Sequence, residues 1–338
     1  MLISSDSVKK LAEYVENRDE VFCSGLFLSA RWMVVSQLDV LGIQLIVLPD
    51  RDSAEYCAAD LYHLIEGDRV YFLPDSGKNL ERSNYKSSLG VQRTSAIGKI
   101  LEYREGEQMI VVTYPSALEE IIPEKGKISG SLLKLVVGEE RSYEEIKEIL
   151  FSSGFERVDF VSEPGQFAVR GALIDIFSYS FNNPFRISFF GDEIESINIF
   201  DANTQLSKEK VDYVDIYPDL SSSEDGEGSM VTDILPEDTL VWLDSSDMYK
   251  DKSFFPELKK FRNIYMELPL SRQDEDAVRF NISPQPVFSK NFELLTEDIR
   301  NKIENGFRVR IYGEKQSQLE RLKSILSQNG GIFPEFVS

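Results

Sequence analysis

The sequence predicts an α/β protein in which a parallel-sheet body is interrupted by an inserted antiparallel α+β domain. Three observations carry this. From Glu20 to Tyr114, short apolar runs alternate with helical stretches of about 10–15 residues, the rhythm of a parallel sheet covered on both faces. From Leu132 to Phe200 that rhythm gives way to one helical stretch followed only by strand-like runs and turn residues. From Val211 the α/β alternation returns, so the middle unit reads as inserted within, or between two halves of, one body. The expected bounds are 1–117 for the first part of the body, 118–206 for the insert and 207–338 for the second part.

The elements follow in order. Val8, Leu11, Ala12 and Val15 recur at helical spacing within 1–19, an amphipathic helix. Glu20–Ser24 is a predicted strand, Ser29–Leu41 a helix stopped by Gly42, and Gln44–Pro49 an apolar strand with both faces buried. A helix over Asp52–Ile65, capped by Asp52 or Ser53, precedes a strand at Arg69–Pro74. A Ser-, Asn- and Lys-rich loop spans Asp75–Ser88; the helix Val91–Tyr103 and the strand Gln108–Tyr114 close the series. Next, a strand at Leu132–Val137 leads to a helix opened by the capping box Ser142-Tyr-Glu-Glu145 and stopped at Gly154. Strands are then expected at Arg157–Val161, Gln166–Arg170, Leu173–Phe177, Pro184–Phe190 and Glu193–Phe200, an antiparallel sheet with the helix on one face and the other face free. The returning series predicts strands at Tyr213–Tyr217 and Thr239–Asp244, and a helix at Ser253–Asn263. After a connector over Leu268–Pro286 come a helix ending at Gly306, a strand at Phe307–Tyr312 and a helix at Lys315–Gln328.

Composition removes several function classes. The formal net charge of −21 opposes a phosphate backbone, whose binding rests on Lys and Arg displacing counterions, and no Lys/Arg cluster offsets it. The cysteines, Cys23 and Cys57, both lie in apolar stretches and read as buried free thiols. With His63 as the only histidine, Cys/His zinc frameworks and histidine triads elsewhere in the chain are excluded, and no metal site is expected. No apolar run of membrane-spanning length and no N-terminal export pattern is seen, so a cytoplasmic protein without membrane contact is expected.

A parallel α/β sheet invites a search for a nucleotide site. The phosphate-loop pattern is absent: Gly77-Lys78-Asn79, Gly98-Lys99-Ile100 and Gly126-Lys127-Ile128 lack both the Ser/Thr and the upstream glycine. After the first strand, Cys23-Ser-Gly-Leu-Phe-Leu-Ser29 keeps Gly25 but offers bulky Leu26, Phe27 and Leu28 where backbone amides would cradle phosphate. The strand Leu240-Val-Trp-Leu-Asp244 ends on an acid but is followed by Ser245, and Asp244 reads as a helix-cap or turn residue. Without a lysine and a catalytic carboxylate nothing positions a γ-phosphate, so no cofactor and no catalytic residue are expected.

The most distinctive segment runs from Gly165 to Phe177 and continues through Phe185 to Asp201, a run of short strands that includes Phe185-Arg-Ile-Ser-Phe-Phe190. Strand alternation puts Phe185, Ile187 and Phe189 on a core face and Arg186, Ser188 and Phe190 on the other. An arginine and an aromatic around a small residue are the mix enriched at protein–protein hot spots. A snorkelling arginine beside a half-buried phenylalanine fits the same spacing.

The run Phe167-Ala-Val-Arg-Gly-Ala-Leu-Ile-Asp-Ile-Phe177, with Pro184-Phe-Arg-Ile-Ser-Phe-Phe-Gly-Asp-Glu-Ile194 and Ile199-Phe-Asp201, resembles the UvrB family of nucleotide excision repair. It resembles more closely the UvrB-like N-terminal module of the bacterial transcription-repair coupling factors, the Mfd family. The likeness is specific over 154–206 and collinear across the flanks. It implies a degenerate helicase-like (RecA-like) body, subdomains 1a and 1b, with an inserted domain 2 that docks UvrA. Carried over by motif, the UvrA-binding residues are Arg170, Arg186 and Phe190. UvrB itself has an intact phosphate loop and an Asp-Glu strand, which points this chain to the coupling-factor branch; UvrB's DNA-clamping hairpin has no counterpart between Leu73 and Val91. The resemblance further implies an N-terminal fragment lacking the polymerase-binding domain and the motor. The full-length protein would be an ATP-dependent DNA translocase whose partners include RNA polymerase, DNA and its own C-terminal domain, which would mask the UvrA face at rest. The alternative is a UvrB-like ATPase with an atypical nucleotide site at Ser24–Ser29 and Asp244.

Overall fold

The computed structural model describes residues 6–77, 83–124, 126, 128, 132–223, 228–267, 276–283, 285–313, 315–328 and 334–337, without the side chains of 83–87. They fall into two units, Met1–Ile282 and Ser283–Ser338. Lys78, Lys127, the centre of the acidic loop after Ser223 and much of the 268–286 connector lie outside the described residues.

In chain order the first strands are β1 (Glu20–Ser24), β2 (Gly42–Val47), β3 (Val70–Phe72), β4 (Gln108–Thr113), β5 (Leu133–Val136) and β6 (Glu156–Arg157). Then come β7 (Gln166–Arg170), β8 (Leu173–Phe177), β9 (Phe185–Phe190), β10 (Glu193–Phe200), β11 (Ser207–Val211) and β12 (Tyr213–Ile216). The last are β13 (Leu240–Leu243), β14 (Arg262–Tyr265), β15 (Val278–Arg279), β16 (Arg310–Tyr312) and β17 (Glu335–Val337). The body is a seven-stranded sheet in the order β15-β1-β14-β13-β2-β4-β3. Its neighbours all pair in parallel. Because β13 pairs with β2 and β14 with β1, the chain leaves the sheet after β4 and returns to its middle, which is what an insertion requires.

Burial explains the apolar runs. Every position of β2 is buried, with Ile43, Leu45 and Val47 in the core on one face and Ile46 in the core on the other. The one polar core position of β2, Gln44, accepts a 3.0 Å hydrogen bond from the buried Trp242 indole, so neither group is orphaned.

Three local expectations are corrected within the body. The helix over Arg51–Leu64 is capped by Asp50, whose Oδ1 accepts from the Ser53 amide at 2.8 Å, not by Asp52 or Ser53. The helix expected over 253–263 is a single turn, Phe255–Leu258, followed by β14. The Asn263 amide donates to the carbonyls of Phe261 at 2.6 Å and Leu258 at 3.2 Å, consuming groups that a longer helix would have needed. The segment read as connector contains β15, the edge partner of β1.

The insert holds a six-stranded sheet, β11-β10-β9-β8-β7-β6, antiparallel except for β6, which is short and pairs with β7 in parallel. The helix Tyr143–Ser152, capped by Ser142 through the Glu145 amide, buries Ile146 and Leu150 against Phe167, Ile174, Ile176, Phe185 and Ile187. The opposite face is not free: Val161, Ala168, Phe177 and Phe200 form a small buried cluster there. Tyr213–Ile216, read in sequence as the first strand of the returning body, pairs antiparallel with β5 instead. Val214 and Ile216 alternate into the same core as Leu133 and Leu135, so burial sets this register.

The exit segment of the insert lies along the helix Ser83–Glu102. Thr94, Gly98 and Glu102 fall on one helical stripe. Thr94 Oγ1 accepts from the Leu220 amide at 3.1 Å, the Tyr217 ring packs on Gly98, and the Tyr217 hydroxyl donates to Glu102 at 2.7 Å. The second unit contains the helices Phe292–Glu304 and Gln316–Gln328 and the parallel pair β16–β17, whose Glu335 bridges Arg308 and Arg310. Among the described residues no helix is long and apolar enough to cross a membrane.

Candidate protein-docking surface

The alternation expected for Phe185–Phe190 is present. Phe185, Ile187 and Phe189 are buried, Arg186 and Ser188 are partly exposed, and Phe190 is 78% exposed at the tip of the β9–β10 hairpin. Arg170, on β7, shares this face with Ala168, since its neighbours Phe167 and Val169 point into the main core.

What brings the arginines together is a carboxylate that the sequence did not single out. Asp175 sits on β8, directly opposite Arg186 of β9 and diagonal to Arg170 of β7. Its side chain is 1% exposed. Arg186 donates from Nε to Asp175 Oδ1 at 2.7 Å and from Nη2 to Oδ2 at 2.9 Å, a two-point fork. Arg170 donates from Nη2 to the same Oδ2. The hydrogen bonds that Arg186 donates to Asp175 raise its pKa above the ordinary value, against burial, which lowers it. Gln205 accepts a further bond from Arg186 at 3.3 Å. Two rings set the guanidinium planes: Phe200, buried, lies 4.4 Å from Arg186, and Phe160, 61% exposed, lies 4.9 Å from Arg170. The plain snorkelling arginine is therefore excluded for Arg186, whose head group is held by a buried acid instead of reaching freely into water.

Phe190 stands apart from this triad. Four residues along a strand separate it from Arg186, about 13 Å of backbone. The face thus has a polar centre of fixed guanidiniums and an exposed apolar tip, and carries the arginine and aromatic residue types enriched at interfaces. Phe160 and Asp175 are the members that sequence reasoning missed. A lone acid within Leu-Ile-Asp-Ile-Phe, on the same strand face as Leu173 and Phe177, was the available signal.

The other sequence-marked region, Ser24–Ser29 with Asp244, lies at the ends of β1 and β13. Asp244 is not a helix cap: its carboxylate pairs with Arg31, and both side chains are largely buried. Gly25 has φ +71°, and a Cβ there would lie 2.1 Å from the Phe280 carbonyl oxygen, so this turn is packed against β15 and its extension. Leu26 is buried, while Phe27 and Leu28 are exposed. Cys23 and Cys57 are both buried and unpaired, and burial pushes the Cys23 thiol up to about 12. Among the described residues no group of three or more His, Cys, Asp and Glu side chains is placed to hold a metal ion.

Comparison with known proteins places these features. Residues 133–221 match the model of the UvrB interaction domain, a span that runs from β5 through β12 and contains all three sequence-marked docking residues. The transcription-repair-coupling factor of Bacillus subtilis (strain 168) is 31% identical over 166 residues, 49% of this chain and 14% of its own length. That of Escherichia coli (strain K12) is 32% identical over 110 residues, covering 32% of this chain and 10% of the relative. That of Mycobacterium tuberculosis (strain CDC 1551 / Oshkosh) is 30% identical over 191 residues, 54% of this chain and 15% of the relative. The matched segments are thus a small part of each relative. The inserted unit is thus similar to the UvrB interaction domain, within a chain similar over part of its length to the transcription-repair-coupling factors.

Proposed function

We propose that this chain is a non-catalytic adaptor in transcription-coupled DNA repair, recruiting UvrA through its inserted domain as UvrB does. The observation that carries the reading is the single face of a UvrB interaction domain on which Arg170, Arg186 and the exposed Phe190 lie together. The flanking α/β body, 1–117 and the residues after the insert, acts as scaffold. The docking domain is taken past 206 to Ile216, because β11 and β12 pair within it. In the resting full-length protein the C-terminal region covers the same face. Contact with RNA polymerase and translocation on DNA are proposed for the full-length protein, not for these residues.

The test is co-purification of UvrA with the chain and with the Arg170→Ala/Arg186→Ala/Phe190→Ala variant. Truncating an interface hot spot costs about 2 kcal/mol or more. The triple variant, folded by circular dichroism, is therefore expected to lose UvrA. Retention at the wild-type level would refute the site. The non-catalytic reading draws support from Asp244, whose charge is taken up by Arg31, and from the packed turn at Gly25. Calorimetric titration with ATP and Mg²⁺ is expected to give no heat of binding at concentrations up to about 1 mM, weaker than about −4 kcal/mol. Micromolar binding would instead favour the atypical ATPase.

A further inference from the structure

We propose that Asp175 is a positioning residue of the docking face and Phe160 a further contact on it, together shaping the face for a carboxylate set among apolar groups on the partner protein. This rests on the reading that Arg170, Arg186 and Phe190 dock UvrA. One buried carboxylate holds both guanidiniums, so the arginines arrive at the partner already ordered, and little side-chain freedom is left to lose on binding. The triad keeps a net charge of +1. Arg186 spends Nε and Nη2 on Asp175 and Gln205, and Arg170 spends Nη2 on Asp175. Among the described residues this leaves the Nη1 edge of each guanidinium, with Nε of Arg170, for an outside acceptor, and arginine side-chain exposures of 35% and 20% keep those edges within reach.

A carboxylate fits better than a phosphate. Asp175 already supplies the strong acceptor, and the chain carries a net charge of −21, so a dianion would meet unfavourable charge beyond the one unit the triad offers. Phe160 lies against Arg170 with 61% of its surface exposed, an apolar wall beside the polar centre, as Phe190 is at the hairpin tip. Rings packed beside desolvated charge are where interface energy concentrates.

Calorimetric titration of UvrA into the whole chain and its variants tests this. Phe160→Ala, at an exposed position, is expected to weaken binding about fivefold or more, and Asp175→Asn about tenfold. Arg186→Lys keeps the charge but not the two-point fork, and is expected to bind nearly as weakly as Arg186→Ala. If Asp175 acts through the arginines, adding Asp175→Asn to Arg170→Ala/Arg186→Ala, with Phe190 and Phe160 kept, weakens the residual binding by no more than about twofold. A general loosening of the sheet would multiply the two losses instead, and would overturn the positioning role. Wild-type affinity of Phe160→Ala, of folded Asp175→Asn, or of Arg186→Lys should Asp175→Asn not fold, overturns the corresponding part of the inference while UvrA docking stands. Wild-type affinity of Arg170→Ala/Arg186→Ala overturns the docking reading, and this inference with it.

Discussion

Replacing Arg93 by Met is expected to lower the melting temperature of the chain by about 10 °C, from a stability loss of about 4 kcal/mol. Arg93 is fully buried in the helix Ser83–Glu102, yet it is surrounded by carbonyls. Nε donates to Ser221 O at 2.7 Å, Nη1 to Pro74 O at 2.8 Å and Ala117 O at 2.9 Å, and Nη2 to Glu120 O at 3.2 Å. The Glu120 carboxylate, 3.5 Å away, is its counter-charge. Burial lowers the Arg93 pKa, and Glu120 and Asp75 oppose that. Methionine fills similar space but donates nothing. Four carbonyls would then lose their donor and Glu120, still held by the Ser76 amide and hydroxyl, its counter-charge, and each orphaned group costs about 1–3 kcal/mol before relaxation. The position matters as much as the magnitude. Ala117 and Glu120 lie where the chain enters the insert and Ser221 where it leaves, so one guanidinium ties both crossings to the body. Limited proteolysis of the variant is therefore expected to begin near 117–132 and 221–229 before the body itself is cut. A melting temperature within about 2 °C of wild type would show that water replaces the lost donors, and would sink the argument.

How much of this was legible in the sequence depends on the range of the interaction. The α/β rhythm was, because β2 and β4 carry their burial pattern in their own residues. So was the exposed side of β9, since period-2 alternation is local and Phe190 stands beside the Gly191 turn. The face-sharing of Arg170 came only through the family resemblance. Asp175 stayed hidden because its partners come from two other strands, and a single acid in an apolar run gives no hint that two arginines will meet on it. Arg93 was hidden for the same reason: on a helix it reads as an ordinary solvated residue, and its four acceptors arrive from three other segments. β12 was misplaced because its partner, β5, lies on the far side of the entire six-stranded sheet in sequence. β14 was misread because Pro256 and the charged Lys259-Lys260 pair look helical, while the Asn263 side chain that stops the helix acts through tertiary contacts.

Asp175→Ala is expected to destabilise the insert by about 3 kcal/mol, whereas Arg170→Met/Asp175→Leu/Arg186→Met is expected to fall within about 1 kcal/mol of wild type. In the first variant two guanidiniums remain on the sheet with no counter-charge. Both arginines are partly exposed, so water relieves part of the penalty, and the cost falls at the low end of the range of about 3–5 kcal/mol for breaking a buried pair. In the second variant the charges leave together. The desolvation they incurred disappears, and the new side chains extend the apolar cluster of Val161, Ala168, Phe177 and Phe200 already on that face. Thermal melts followed by circular dichroism compare the two, with UvrA co-purification alongside. If both lose UvrA while only Asp175→Ala loses stability, the triad is retained for docking and not for the fold. An apolar triple variant as unstable as Asp175→Ala would mean instead that the ion triad holds the sheet together, and its part in UvrA recognition would then have to be read from Phe160 and Phe190 alone.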